Sequence, residues 1–150
     1  HGMTNLNEVM AKTMEMKWKI ESLLKLSTYN DYDDLSGLSI NYDNPDELFL
    51  MDELREIMNQ LTNVRDKIKY LSRPIKETSC LHRNRSDRYE TRQGHYYTCG
   101  SGIEALVSDN RHDSPYWVWT RVEHDGSDYY LVGHKGIDMD GLTVRVREMV

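Results

Sequence analysis

The hydrophobic pattern of this chain changes period once, at Pro74. Before the proline, apolar residues recur at alternating steps of four and three, which is typical of a helix packed on another helix. This stripe consists of Leu50, Leu54, Ile57, Leu61, Val64, Ile68 and Leu71. After the proline, residues 117–122 and 142–147 alternate with period two, as strands do. The sequence predicts an α+β fold: an N-terminal antiparallel helical hairpin, then a small SH3-like β-barrel or rolled antiparallel sheet of five to six strands.

The predicted boundary divides the chain into a helical hairpin over residues 1–73 and a small β-domain over residues 74–150. The helices are predicted at about 4–26 and 45–72, joined by an acidic, Tyr-rich connection at 27–44. Asn44 and Pro45 suit the N-cap and first position of the second helix, and Glu47 completes a capping box. Thr4 or Asn5 could cap the first helix. Two or three short strands are predicted within residues 75–98, from the candidates 78–83, 88–91 and 95–98, and further strands at 103–107, 117–124, 129–132 and 142–147.

The first helix carries an apolar stripe with the same spacing as the second, which predicts that the two stripes form the hairpin seam. Its members are Leu6, Val9, Thr13, Met16, Ile20 and Leu23. Met10, Met14 and Trp18 widen the stripe to a second face. A homodimer formed through the helical seam is an alternative that the pattern leaves open.

Composition narrows the classes of function. No run of about eighteen apolar residues is present, so we expect no membrane span. The N-terminus is charged and amphipathic, so we expect no signal peptide, and two cysteines fit a reducing cytoplasm. The net charge of −6 belongs mainly to the helical half, where residues 3–72 hold thirteen acidic against eight basic residues. This balance argues against broad phosphate binding there.

The connection and the start of the second helix form a candidate protein-binding surface. No basic residue occurs between Lys25 and Arg55, and tyrosines alternate with the acids. Regularly spaced carboxylates can mimic nucleic-acid phosphates toward a basic partner, and Tyr adds rigid contact area. A solvated polar loop is the alternative. The candidate residues are Tyr29, Asp31, Tyr32, Asp33, Asp34, Tyr42, Asp43, Asp46 and Glu47.

A second candidate surface lies in the β-domain, where arginines crowd near aromatic residues. Arginines and aromatics on a small barrel can bind single strands by phosphate contact and stacking. The candidate nucleic-acid-binding residues are Arg83, Arg85, Arg88 and Trp119. The alternative is that the arginines pair with nearby acids, and the weak net charge of this half makes nucleic acid the less favoured partner.

The sequence contains little that indicates catalytic activity or metal binding. Cys80, His82, His95 and Cys99 could supply four zinc ligands, but they lack the close CxxC spacing and fall on predicted strands. His124 lies beside carboxylates at a predicted hairpin end, where polar residues belong anyway. No GxSxG, HExxH or phosphate-binding Gly loop is present. We therefore expect a non-enzymatic protein with no cofactor and no metal.

Several runs in the β-domain together resemble a known bacterial family. They are the residues at 88–90, 100–104, 117–124, 128–133 and 144–147, of which 121–124 and 128–133 match most densely. Residues about 70–148 resemble domain of unknown function 5348, found in Gram-positive bacteria and their mobile elements. The resemblance implies no activity and no functional residue. It implies an accessory protein of a phage, plasmid or conjugative element.

Together these observations predict a protein-binding accessory or regulatory protein. The most specific form of this prediction is that the protein inhibits a nucleic-acid-binding defence machine, as an anti-CRISPR protein does. Its acidic surface would then occupy a basic nucleic-acid channel of that machine. The alternative is a nucleic-acid-binding module that uses the Arg/aromatic face of the β-domain.

Overall fold

The fold is described from a computed structural model and covers residues 2–29 and 34–149. The chain divides into two compact units, His1–Ser72 and Arg73–Val150. We call them the helical unit and the sheet unit. Two helices are followed by an antiparallel five-stranded sheet and a small two-stranded sheet, so the predicted α+β class is confirmed.

The first helix, α1, spans Leu6–Leu26. Asn5 caps it, because its side-chain oxygen accepts a hydrogen bond from the Asn7 N–H at 2.8 Å. At the other end, the Ser27 N–H donates to the Leu23 carbonyl at 2.9 Å. Thr28 then takes a positive φ of 61°, which turns the chain out of the helix.

The second helix, α2, spans Pro45–Ser72. The Asn44 side chain accepts from the N–H groups of Asp46 and Glu47 at 2.9 and 3.3 Å, which caps the helix. The predicted capping box is modified, because the Glu47 carboxylate accepts from the Asn41 N–H at 3.4 Å. The Asn44 N–H instead donates to the Asn41 carbonyl at 3.0 Å. Neither helix is long and apolar enough to cross a membrane within residues 2–29 and 34–149.

The helices pack on each other only partly through the predicted stripes, of which Ile20 in α1 and Leu61 and Ile68 in α2 belong to the core. The helical core consists of Ile20, Leu24, Leu35, Met58 and Ile68, with half-buried Met14, Tyr29, Leu38, Met51 and Leu61 around it. Most of the predicted seam is exposed in both helices. Its exposed members are Leu6, Val9, Met16, Leu23, Leu50, Leu54, Ile57, Val64 and Leu71.

The sheet unit contains seven strands in two sheets. They are β1 (Ile75–Cys80), β2 (His82–Arg83), β3 (Tyr89–Glu90), β4 (Gly102–Val107), β5 (Tyr116–His124), β6 (Tyr129–Leu131) and β7 (Thr143–Arg147). The five-stranded sheet has the order β1-β7-β4-β5-β6 and is antiparallel throughout. Strands β2 and β3 pair separately. The first and last strands of the unit are therefore neighbours.

Of the two predicted alternatives, the antiparallel sheet of five to six strands is confirmed and the closed SH3-like barrel is wrong, because β1 and β6 form the two edges of an open five-stranded sheet. The strand predicted at 78–83 is divided at Leu81, which is 2% exposed and anchors the division in the core. The segment predicted as a strand at 95–98 makes an isolated bridge between Glu90 and Tyr96. In these short segments polar and apolar residues alternate as in strands, but neighbouring strands do not extend the hydrogen-bonded ladder.

One face of the five-stranded sheet carries a dense core. Its members include Leu81, Tyr89, Tyr97, Ile103, Ala105, Val107, Val122, Leu131, Met139, Leu142 and Val144. The side chains of β4 and β5 alternate, so Ile103 and Val122 face this core while Glu104 and Trp119 lie on the other face. We call that second face the outer face of the sheet.

Candidate functional site

The connection between α1 and α2 is anchored to the helical unit. Leu35 is 2% exposed and belongs to the helical core, so it fixes the middle of the connection. The Gly37 N–H donates to the Thr28 hydroxyl at 3.0 Å. A Cβ at position 37 would lie 2.3 Å from the Thr28 Cγ2, so only glycine permits this approach. The described part of the connection is therefore folded structure.

The structure brings several of the predicted acidic-surface residues to the start of α2. Tyr42, Asp43 and Asp46 are exposed and Glu47 is half-buried. Their backbone is held by Asn41 and Asn44, because the Asn41 side chain accepts from the Asp43 N–H at 3.0 Å. The exposed side chains therefore project from a hydrogen-bonded turn and a capped helix.

Other members of the predicted surface differ in placement. Asp34 accepts from the N–H and the hydroxyl of Ser36 at 2.7 and 3.0 Å, which closes a local turn. Tyr29 is half-buried against the helical core, and its hydroxyl donates to the Asn59 side chain at 3.5 Å. Tyr29 is thus an anchor of the unit. The remaining predicted residues, Asp31, Tyr32 and Asp33, lie outside the described residues.

One exposed aromatic residue at this surface was missed from sequence. Phe49 lies in the second turn of α2 and is 59% exposed, and Tyr42 is 68% exposed. Phe49 directly precedes the apolar stripe, and its position one residue off that stripe was the available signal. We define the acidic-aromatic patch as Tyr42, Asp43, Asp46, Glu47 and Phe49.

In the sheet unit, the predicted nucleic-acid-binding residue Arg83 is held by carboxylates. Its guanidinium donates to Asp87 at 3.0 Å and to Asp128 at 2.9 Å. The guanidinium carbon also lies 4.8 Å from the centroid of the Tyr89 ring. The Tyr89 hydroxyl also donates to Asp128 at 3.1 Å. Hydrogen bonds to Asp87 and Asp128 raise the pKa of Arg83. Burial raises the pKa of Tyr89, and its bond to Asp128 adds to this effect.

Of the other three nucleic-acid candidates, Arg85 lines one surface pocket together with Arg83, whereas Trp119 does not join them. Arg85 is exposed, and the Arg88 guanidinium lies 5.7 Å from the Tyr96 ring centroid. Trp119 belongs to the outer face of the sheet, whereas the Tyr89 under Arg83 is part of the core on the opposite face. The structure therefore separates Trp119 from the arginines that were grouped with it.

A buried ion-pair cluster occupies the outer face of the sheet. Glu104, which is 5% exposed, accepts from the Arg147 guanidinium at 2.8 and 3.1 Å and from Arg145 at 3.4 Å. Arg145 stacks on the Trp117 ring at 4.3 Å. Burial raises the pKa of Glu104, but the two arginines outweigh burial and hold that pKa below its usual value. This cluster joins β4, β5 and β7.

A second buried carboxylate, Glu77, fixes the loop after β3. It accepts from the Thr91 hydroxyl at 2.8 Å, the Ser79 hydroxyl at 2.9 Å and the Gln93 N–H at 2.9 Å. Burial raises the pKa of Glu77, and these hydrogen bonds reverse the shift and leave the pKa lowered. Burial also lowers the pKa of His95 nearby. The hydrogen bonds that Glu77 accepts from Thr91 and Gln93 tie the loop after β3 to strand β1.

The four residues considered as zinc ligands are not brought together. The Cys80 sulfur lies 3.7 Å from the Thr143 hydroxyl, the His82 ring pairs with Glu90 at 3.3 Å, and the His95 ring packs edge-on against Tyr97. Within residues 2–29 and 34–149, no three His, Cys, Asp or Glu side chains are arranged to hold a metal ion.

The polar residues at the β5–β6 hairpin form its turn. Asp125 accepts from the N–H groups of Asp128 and Ser127 at 3.0 and 2.9 Å, and these bonds hold the pKa of Asp125 well below its usual range. The His124 ring nitrogen Nδ1 accepts from the Gly126 N–H at 3.0 Å. These groups are used in closing the turn.

Comparison with known proteins adds one finding. Residues 79–146, within the sheet unit, match the model of a family described as a domain of unknown function (DUF5348). The resemblance predicted from sequence is confirmed for this part of the chain, and the helical unit lies outside the matched range. No curated protein and no solved structure matches the chain.

Proposed function

We propose that this protein is a non-enzymatic accessory or regulatory protein that binds a basic protein partner through the acidic-aromatic patch. The observation that carries the proposal is the exposure of Tyr42 and Phe49 at 68% and 59%, beside the exposed carboxylates of Asp43 and Asp46. Aromatic residues are enriched at protein interfaces, and complementary charge speeds encounter and selects the partner.

The rigidity of the patch supports a binding role. Asn41 and Asn44 hold the turn that carries Tyr42, and Phe49 stands on the capped helix α2. An aromatic side chain held on fixed backbone loses little conformational entropy when a partner covers it. A merely solvated loop would not need two exposed aromatic rings among its acids.

The concrete form of the proposal is inhibition of a nucleic-acid-binding defence machine, as by an anti-CRISPR protein from a mobile element. Carboxylates spaced along the connection and α2 would occupy a basic channel that normally holds nucleic-acid phosphates. The cytoplasm suits this role, because Cys80 and Cys99 are exposed free thiols that persist in a reducing compartment.

The test is capture of partners from a nuclease-treated Gram-positive lysate with three baits: the unaltered protein, the variant Tyr42→Ala/Asp43→Lys, and a matched control. The control, Asp138→Lys/Asp140→Lys, reverses two exposed acids of the sheet unit. We expect one basic nucleic-acid-handling protein on the unaltered and control baits and its loss from the patch variant. Equal capture by all three baits, or no basic protein on any of them, contradicts the proposal.

The runner-up function is nucleic-acid binding by the sheet unit. Arg85 is exposed and Arg88 stacks near Tyr96, which favours it, while the two carboxylates that hold Arg83 disfavour it. Fluorescence anisotropy with single- and double-stranded oligonucleotides at low salt separates the two proposals. Binding that weakens with salt and is lost in Arg85→Ala/Arg88→Ala supports the runner-up, and no binding removes it.

A further inference from the structure

The helical unit leaves a long apolar stripe exposed on α2. Its members recur at strict steps of four and three over residues 50–71. Leu50, Ile57 and Val64 are 56%, 47% and 46% exposed, and Leu54 is also exposed. A strict repeat of seven residues is typical of helices that pair along their length, because it keeps the stripe on one side of both helices.

The stripe borders the surface that α2 uses to pack within the unit. The helical core takes Met51, Met58 and Ile68, and Met51 and Met58 each directly follow a member of the exposed stripe. The core therefore takes Met51 and Met58 beside the stripe and Leu61 and Ile68 within it, and the other stripe residues form a second apolar face that the unit leaves exposed. Two adjacent faces are what a helix in a four-helix bundle needs, since it packs on two neighbours.

The charges beside the stripe indicate what covers it. The residues directly before Leu54, Leu61 and Ile68 are Glu53, Gln60 and Lys67, and all three are exposed. Glu53 and Lys67 are therefore of opposite charge and symmetric about Gln60. When two copies of such a helix pair antiparallel, residues of this flanking row meet each other across the interface. Glu53 then faces the partner's Lys67, twice in each dimer.

The row of residues that directly precedes the stripe in α1 does not carry opposite charges. The residues directly before Thr13 and Ile20 are Lys12 and Lys19, both exposed and both positive. Antiparallel pairing of two α1 helices through this row would bring like charges together, which is unfavourable. The charge pattern therefore favours α2 as the helix that pairs with itself.

We propose that two copies of this chain associate through antiparallel pairing of their α2 helices, with Gln60 at the two-fold axis. In this register Leu54 packs against the partner's Val64, and Ile57 packs against the part of the partner's Leu61 that its own helical core leaves accessible. The interface is isologous, so each contact occurs twice. It covers the part of the seam that the unit leaves exposed.

The first test is the mass of the full-length protein in solution, measured by sedimentation velocity at micromolar concentrations. We expect a species of twice the 17.7 kDa chain mass. The variant Ile57→Asp places a charge in the seam and is expected to be a folded monomer, checked by circular dichroism. A monomeric unaltered protein overturns the proposal, as does an Ile57→Asp variant that remains fully dimeric.

A charge exchange tests the antiparallel register. Glu53→Lys and Lys67→Glu alone are each expected to raise the dimer dissociation constant about tenfold at low salt, because attraction becomes repulsion at two places. The double variant restores both pairs and is expected to return to the original constant. Glu56→Lys, an exposed acid outside the flanking row, is the control and leaves the constant unchanged.

The outcome of the exchange is decisive. A double variant that stays as weak as its parents overturns the antiparallel register, since parallel pairing or pairing of α2 with the partner's α1 would not restore attraction. Dimer formation through α2 can be tested separately from the proposed binding of a partner to the acidic-aromatic patch. Tyr42→Ala/Asp43→Lys is expected to remain a dimer, whereas Ile57→Asp keeps the acidic-aromatic patch.

Discussion

The sheet unit buries its main apolar residues and two of its carboxylates, whereas the helical unit leaves much of its apolar stripe and its acids exposed. In the sheet unit, Ala105, Val122, Leu131 and Val144 have no exposed surface. In the helical unit, the most regular apolar stripe of the whole sequence is largely exposed. The comparison teaches that one unit completes its own core, whereas the other has apolar surface beyond what its fold uses.

The carboxylates follow the same division. Glu77 and Glu104 of the sheet unit are buried and fully committed to hydrogen bonds within that unit. Asp43 and Asp46 of the helical unit are exposed near two exposed aromatic rings. Buried, paired charges maintain a fold, and exposed, unbalanced charges attract partners. We therefore infer that the sheet unit is mainly structural and the helical unit carries the interactions.

The largest expected effect is from truncation in the sheet core. Leu131→Ala should lower the free energy of unfolding of the sheet unit by about 3 kcal/mol, because it removes a side chain with no exposed surface and leaves a cavity. Leu26→Ala, at a position of the helical unit that is 77% exposed, is the contrast and should change the stability of that unit by less than about 0.5 kcal/mol, followed by circular dichroism at 222 nm. Urea unfolding followed by tryptophan fluorescence in a Trp18→Phe background reports on the sheet unit. Equal effects of the two variants would break the comparison.

The next effect concerns the buried ion-pair cluster. Glu104→Gln should destabilise the sheet unit by about 2 kcal/mol, because Arg147 and Arg145 lose the charge that compensates them. The exposed pair of Lys12 and Glu15 on α1 provides the contrast. Glu15→Gln should change the stability of the helical unit by less than about 0.5 kcal/mol in urea unfolding followed by circular dichroism at 222 nm. A negligible effect of Glu104→Gln would mean that the cluster does not hold the sheet together.

Acidification should act on the sheet unit through Glu77 and Glu104. Both pKa values are lowered in the folded state from the ordinary 4.5, so the stabilisation is present above that pH. It is lost as pH falls below about 4.5 toward the folded pKa values. Urea midpoints measured between neutral and acidic pH should fall, and Glu104→Gln should reduce the dependence. A midpoint independent of pH would contradict the role assigned to these carboxylates.

A smaller effect is expected where the connection meets α1. Gly37→Ala places a Cβ against Thr28 and should lower the stability of the helical unit by about 1 kcal/mol, measured by thermal unfolding at 222 nm. Gly2→Ala, in the same unit, is the control, because a Cβ there meets nothing within 4 Å. It should be neutral or slightly stabilising. If Gly37→Ala is equally neutral, the connection is not anchored at that point.

The sequence predicted the elements better than the faces they bury. The helices follow from capping residues and periodicity, which are local signals. The burial of Met51 and Met58 was not predictable in the same way, because the core of α2 combines these two residues with Leu61 and Ile68 of the predicted stripe, and only tertiary packing decides that combination. The division of the strand at Leu81 likewise depends on the core beneath it.

The candidate sites show the same limit. Asn44 and the acids after it are where local chemistry predicted them. The anchor Leu35 was not recognised, since a single leucine in a polar connection has no periodic neighbours. Trp119 and Arg83 belong to different sheets, Trp119 to the five-stranded sheet and Arg83 to the pair of β2 and β3, and strand pairing of this kind cannot be read from short segments of sequence.

The most direct test of the division between the two units is hydrogen exchange of the full-length protein at two concentrations, read by mass spectrometry. We predict that peptides covering residues 50–71 become more protected as concentration rises, while peptides covering 102–107 and 143–147 are equally protected at both. If exchange in residues 50–71 is independent of concentration and as slow as in the sheet, the stripe is already covered within one chain. That result would contradict the account.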